Sequence, residues 1–197
     1  MNSWVASTCV EGSEIKMSFS SRRSAILISV FGVAFILLIC VLGWAGFRLN
    51  VTNSLPVGIY RVIPSPLHIG SYVAFCLPES AGRLSVERDY RPRGKCPDGG
   101  APFLKQVIAV PGDHVSFSSA GIAVNGTLLP KTAPFPQDRA GRPMQPWTFG
   151  DFEVAWGEVW VGSTYNRYSY DSRYFGPIRS KLILYSLKRV LTVSAPE

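Results

Sequence analysis

The hydrophobic pattern changes character near residue 48. Residues 25–47 read AILISVFGVAFILLICVLGWAGF, without one charged side chain. As a helix rising ~1.5 Å per residue this run spans roughly 35 Å, against a hydrocarbon core of about 30 Å. It exceeds the ~7–15-residue apolar stretch of a signal peptide, so the pattern predicts a retained transmembrane helix. Trp44 suits its interfacial end. Residues 1–24 are polar and Ser-rich with no apolar period, which predicts a disordered tail; Met17 offers a second start just before Arg22 and Arg23. Lys16, Arg22 and Arg23 on that side place the tail in the cytoplasm and residues 48–197 beyond the membrane.

After the span the pattern shortens. Apolar runs at 57–63, 71–77, 103–110, 114–118, 121–129, 153–161 and 188–194 are broken by Gly and Pro and read as strands. Asn125-Gly126 is the signal of a two-residue hairpin turn, and Pro111-Gly112-Asp113 marks another turn. Residues 79–102 and 130–146, rich in Pro, Gly and Arg, read as excursions from a β core. No long amphipathic helix and no internal repeat follow the anchor. The expectation is a mainly β domain.

Composition adds less. The chain has 197 residues, a net charge of +7, 18 Gly and 15 Pro. The basic balance permits nucleic acid or anionic lipid as a partner, but the arginines are scattered, with no basic helix or helix-turn-helix pattern, so nucleic acid is not expected. Of the four cysteines, Cys9 lies in the tail and Cys40 in the span. Cys76 and Cys96 flank the first excursion on the side expected to be oxidising, where a disulfide would staple the loop; two unrelated thiols are the alternative. Neither His68 nor His114 stands at ligand spacing from a cysteine, which argues against a metal site.

Candidate chemistry sits in three clusters. The first is NVTNSLPVGIYR, residues 50–61, just past the span. Ser54 there would lie above the membrane surface beside a turn set by Pro56 and Gly58. A serine becomes a nucleophile only when a base takes its proton; an isolated Ser near Pro is more often a turn or cap residue. The second is FLKQVIAVPGD, residues 103–113. On a strand Lys105 shares a face with Phe103 and Val107. Desolvation among apolar neighbours lowers a lysine pKa, and an amine tuned to about 7–8 can serve as a general base. The alternative is a surface lysine whose stem covers apolar area. The third is YNRYSYDSRYFGPI, residues 165–178. Ser169, Asp171 and Arg173 alternate, so an extended segment would turn them one way; a polar loop is the other reading.

Anchor, Ser-x-Pro cluster, Lys strand ending in Pro-Gly-Asp, and Ser-x-Asp-Ser-Arg-x-x-Gly-Pro box occur here in the order that resembles the signal peptidase superfamily of Ser/Lys peptidases. One residue, Leu55, separates Ser54 from Pro56, where leader peptidases usually have two. Thr164-Tyr165-Asn166-Arg167 stands where leader peptidases carry Gly-Asp-Asn-Arg. Both details, and Asn50-x-Thr52-x-Ser54-x-Pro56-x-Gly58-x-Tyr60, are similar to the TraF-type conjugal transfer peptidases. The resemblance implies signal-peptidase-like coiled antiparallel sheets behind one transmembrane helix, with an apolar surface beside the site. It implies Ser54 as nucleophile, Lys105 as general base, and the Ser54 N–H with the Thr52 hydroxyl as oxyanion hole. Ser169 would orient Lys105, and Asp171 with Arg173 would hold that loop. It implies no metal and no organic cofactor. The partners implied are membrane lipid, an exported or pilin-like precursor as substrate, and type IV secretion components. The enzyme would sit in the inner membrane with its catalytic domain in the periplasm, maturing a conjugative pilin by trimming or by cyclisation.

Other readings stand beside it. A general type I signal peptidase shares the chemistry. A non-catalytic scaffold of a conjugation apparatus fits the charge and the anchor. Self-cleaving repressors use a Ser/Lys pair but are soluble and carry a DNA-binding module, against the span at 25–47. A Ser-His-Asp arrangement of His114 with Asp113 is disfavoured, because neighbours on a strand point to opposite faces.

Overall fold

The computed structural model describes residues 19–193. The chain divides into two units, one ending at Trp44 and one beginning at Ala45. The first contains helix α1 (Phe19–Trp44). Within Arg22–Trp44 an 18-residue window reaches a mean hydropathy of 3.1, and the helix is long and apolar enough to cross a membrane. It opens six residues before the apolar run, inside the stretch assigned to the tail, because Ser20 to Ser24 contain neither Gly nor Pro to stop it. It closes before Phe47, at Gly46, whose φ of 86° a side chain would resist. The rest of the expected tail, with Cys9, Lys16 and Met17, lies outside the described residues.

The second unit is mainly β. Its strands are β1 (Phe47–Asn50), β2 (Val57–Ile63), β3 (Tyr72–Phe75), β4 (Phe103–Ala109), β5 (His114–Ser118), β6 (Gly121–Val124), β7 (Thr127–Leu128), β8 (Gly150–Glu153), β9 (Glu158–Gly162), β10 (Ile178–Arg179) and β11 (Ile183–Val193). Two short helices interrupt them, α2 (Glu79–Glu87) and α3 (Ser172–Phe175). A seven-stranded sheet runs β1-β2-β11-β3-β4-β9-β10, and a four-stranded sheet runs β7-β6-β5-β8. Every pairing is antiparallel. The Asn125-Gly126 turn joins β6 to β7 as the expected two-residue hairpin. The expected strand at 153–161 is two strands, parted at Trp156-Gly157, where Gly157 has φ 81°.

Alternation on β4 builds the core around the site. Phe103 and Val107 join Val73, Phe75, Val159, Val161, Tyr170 and Ile178 in one apolar cluster. At the far end of β4, Ile108 and Ala109 join Val115, Phe117, Ile122, Val124 and Trp160 under the smaller sheet. β11 bulges between Arg189 and Leu191 as it passes β2. There Gly58 has φ 152°, and a Cβ on it would lie 2.1 Å from the Leu191 carbonyl oxygen, so only glycine lets the strands approach.

The first excursion holds a nine-residue helix, α2, that the hydropathy pattern does not reveal. Ala81 and Leu84 pack against the apolar cluster around Phe103, while Gly82 lies so close to Asp98 that a Cβ on it would overlap the carboxylate. Arg91, ion-paired to Asp98, lays its guanidinium 4.1 Å from the Phe103 ring centre. Cys76 and Cys96 are disulfide-bonded across the base of the excursion, with Cα atoms 5.5 Å apart. Closing a loop of this size stabilises a domain by roughly 3 kcal/mol in the chain-entropy model. The variant with Ala at both cysteines is therefore expected to unfold at lower denaturant by about that much. An unchanged midpoint in urea would show the bridge to be idle. The second excursion meets the first at Asp138, which accepts from Tyr90 Oη at 2.6 Å and from Arg142 Nε at 2.7 Å.

Candidate active site

Lys105 is the centre of the arrangement. Its place on β4 follows from the two-residue period: it points inward between Phe103 and Val107 and is 2% exposed. β3 lies on one side, with Val73 opposite Lys105. β9 lies on the other, with Gly162 opposite Gln106. Lys105 Nζ contacts Ser54 Oγ and donates to Ser169 Oγ at 2.8 Å. Burial pushes the amine down from 10.5 to about 8; Asp171 works against that shift and Arg173 adds to it.

The Ser54 loop is folded around one side chain. Asn50, the last residue of β1, is 3% exposed. Its Nδ2 donates to the carbonyl oxygens of Thr52, Leu55 and Pro56, and its Oδ1 accepts from the Thr52 N–H and the Thr52 hydroxyl at 2.8 Å. Since Nδ2 faces only acceptors, the amide orientation is fixed, and the Thr52 hydroxyl proton points at Asn50. That hydroxyl must rotate before it can serve an oxyanion. No acceptor among the described residues takes the Ser54 N–H.

The third cluster is not the extended segment that its alternation suggests. Asp171 caps α3, accepting from the Arg173 N–H, and Gly176 with φ 73° ends the turn. Asp171, Ser172 and Arg173 are all fully buried. Asp171 takes Arg173 Nε at 2.8 Å and Nη2 at 2.9 Å. Arg173 also donates to the carbonyls of Lys131, Ala133, Arg167 and Ser169. The bond to the Ser169 carbonyl, at 2.8 Å, fixes the residue whose hydroxyl meets Lys105. Helix capping, not strand alternation, therefore turns Asp171 and Arg173 inward.

Two residues that sequence reasoning passed over complete the site. Ser163, just past β9, donates through Oγ to the Ser54 carbonyl at 2.7 Å, and its own N–H goes to Asp171 Oδ2. Asn166 Nδ2 donates to the Asn53 carbonyl at 3.1 Å. Asn166 and Asn50 both stood in the quoted motifs, but neither carries a signal of its own. Around Ser54 opens a cleft of about 730 Å³, bordered by β1 and its loop, by residues 89–92 and 101–102 of the first excursion, by residues 103–105 of β4, and by Arg139, Arg142, Met144, Tyr168, Tyr170 and Tyr174. The structure thus assembles Ser54, Lys105 and Ser169 in direct contact, with Asp171 and Arg173 directly behind. The Cys76–Cys96 bridge closes the base of the excursion that walls the cleft.

Residues 22–190 match the family model of signal peptidases, peptidase S26. A plasmid transfer protein TraF of Escherichia coli is 37% identical over 177 residues, which cover 89% of this chain and 99% of that one. A second plasmid transfer protein TraF of that species is 36% identical over 173 residues, 87% and 97% of the two chains. A probable conjugal transfer protein TraF of Sinorhizobium fredii is 40% identical over 154 residues, 76% and 79% of the two. A solved signal peptidase I of Enterococcus faecalis is 20% identical and covers 64% of this chain and 99% of that one, with a TM-score of 0.35. That last likeness is too distant to bear weight.

Proposed function

The chain belongs to the signal peptidase family, peptidase S26, and from that premise we propose that it is a Ser/Lys endopeptidase that matures the exported pilin precursor of a conjugal transfer system. The observation that carries the reading is the buried Lys105 amine, lowered to about 8 and held between Ser54 Oγ and Ser169 Oγ. The conjugal assignment rests on the names of the TraF relatives.

In its neutral form the amine keeps one N–H on Ser169 and turns its lone pair to Ser54. Ser54 Oγ attacks the scissile carbonyl as its proton passes to Lys105 Nζ, and the ammonium then delivers that proton to the leaving amine. The Ser54 N–H, joined by a rotated Thr52 hydroxyl, stabilises the oxyanion. The ester left on Ser54 is resolved by water in plain trimming. An amine held beside it enjoys a large effective concentration and closes a ring instead.

α1 is taken as the single anchor in the inner membrane, with the preceding residues in the cytoplasm and the unit from Ala45 in the periplasm. There it would meet membrane-held precursors and other secretion components. A general type I signal peptidase would share this chemistry and differ in substrate range.

The test is the intact mass of pilin recovered from cells with and without the enzyme. A product trimmed at its C-terminal end in wild-type cells and full-length precursor in cells with Ser54→Ala would support the reading. Identical masses would end the pilin assignment. A trimmed product lighter by one water marks cyclisation. In vitro, kcat/KM should rise with pH along a limb centred near 8, because only the neutral amine is a base. A flat profile from pH 6 to 9 would contradict Lys105 as that base.

A further inference from the structure

We propose that Asn166 is a positioning residue that aims the Ser54 N–H at the developing oxyanion, acting through the carbonyl of Asn53; this rests on Ser54 being the nucleophile. The Asn53 carbonyl and the Ser54 N–H belong to one peptide unit. That unit is trans, like every peptide bond described, so its oxygen and its hydrogen point in opposite directions. Whatever fixes the oxygen fixes the hydrogen. Asn166 Nδ2 does so at 3.1 Å. Donation onto the carbonyl also polarises the amide and strengthens its N–H as a donor.

The direction of the Asn166 amide is unambiguous. Its Oδ1 accepts from the Tyr168 N–H at 2.9 Å, which only an oxygen can do, so Nδ2 is the atom on Asn53. The backbone of Asn166 is equally committed. Its N–H donates to Ser163 Oγ at 2.9 Å, and its carbonyl accepts from the Ser169 N–H at 3.1 Å. Ser163 Oγ in turn donates to the Ser54 carbonyl at 2.7 Å, in the next peptide unit. One turn, residues 163–169, therefore clamps both peptide units flanking Ser54 and also carries the hydroxyl on Lys105. The Ser54 N–H has no acceptor among the described residues, and Ser54 itself lines the cleft.

Removing an oxyanion donor outright typically costs 10²–10³ in kcat. Loss of Asn166 leaves the donor present but free to swing, so a loss of about 10- to 100-fold is expected. Asn166→Asp keeps the acceptor for Tyr168 and loses the donor to Asn53. Asn166→Ser keeps a short acceptor and cannot reach Asn53; it serves if the aspartate variant does not fold. Measured on the full-length protein in detergent with a precursor peptide, either variant should lower kcat by that factor. KM should stay within about twofold and the pH limb should stay in place. Inhibition by a peptide aldehyde, whose adduct on Ser54 places an oxygen in the hole, should weaken by the same factor as kcat/KM falls.

A folded Asn166→Asp or Asn166→Ser protein with wild-type kcat overturns the inference. So does a loss confined to KM, or a shifted pH limb, which would mean that Asn166 acts on Lys105. Failure of the underlying reading looks different: Ser54→Ala would still cleave, and the aldehyde would not inhibit the wild-type protein.

Discussion

Ser54→Ala and Lys105→Met will each lower kcat on the order of 10⁴-fold or more, and the double variant will lose little beyond either single one, because the two side chains act as one unit. Folding should survive both changes. Ser54 is only half-buried and its loop is tied down by Asn50, Ser163 and Asn166, none of which needs the Ser54 hydroxyl. Lys105→Met should leave the domain more stable at neutral pH. The wild-type amine has a folded pKa of about 8 against an ordinary value of 10.5. Below pH 8 the folded state must hold a buried charge, or give up a proton, that the unfolded chain keeps in water at no cost. The penalty is fully present there and is relieved as pH rises from about 8 to 10.5. Methionine removes it, for a gain of roughly 1–3 kcal/mol at pH 7 that fades in alkali. Urea melts at pH 7 and pH 10 measure this. A Lys105→Met protein that cleaves, or one less stable than wild type at pH 7, contradicts the assignment.

Arg173→Met will destabilise the domain by about 3–5 kcal/mol, because removing one partner of a buried pair strands the other. Asp171, at 0% exposure, would lose its ion-pair partner, and four backbone carbonyls would lose their donor. For a domain of this size the melting temperature should fall by roughly 10 °C. Arg173→Lys should restore little, since one ammonium cannot span the two carboxylate oxygens and those carbonyls together. A drop of less than 2 °C in Arg173→Met would remove the pair from the list of what holds the site. Wherever Asp171→Asn remains folded, its pH limb should sit below the wild-type value. The Asp171 charge raises the Lys105 pKa, so its removal lets that pKa fall further.

How much of this was legible depends on how local each signal is. Lys105 was readable because strand alternation alone puts it among Phe103 and Val107, and the hairpin at Asn125-Gly126 because the turn states its own geometry. Ser54, Ser169, Asp171 and Arg173 were readable only as a motif set; the reason given for the last two facing inward was a strand, and the cause is a one-turn helix. β1 was hidden, since Phe47 continues the apolar run of α1. α2 was hidden, since its fully buried positions are Gly82 and Ser85 and only Ala81 and Leu84 meet the apolar core, too few for a stripe. Ser163 and Asn166 were out of reach for a different reason. They act on backbone carbonyls 109 and 113 positions away, and a side chain that recognises a main-chain oxygen leaves no complementary residue in the sequence.

The large sheet has its last strand in the middle. β11 lies between β2 and β3 and pairs with both, so the two never touch without it. As the chain is made, β1 with β2 and β3 with β4 can pair before β11 arrives, leaving two separate pieces. Ser54 belongs to the first piece and Lys105 to the second. Long-range pairings of this kind form late, after the cost of closing the intervening loop has been met. Within the sheet, the strands that carry Ser54 and Lys105 are thus joined only when Ile183–Val193 pairs between them. On the proposed reading, the peptidase therefore gains a working dyad only once β11 has paired with both β2 and β3.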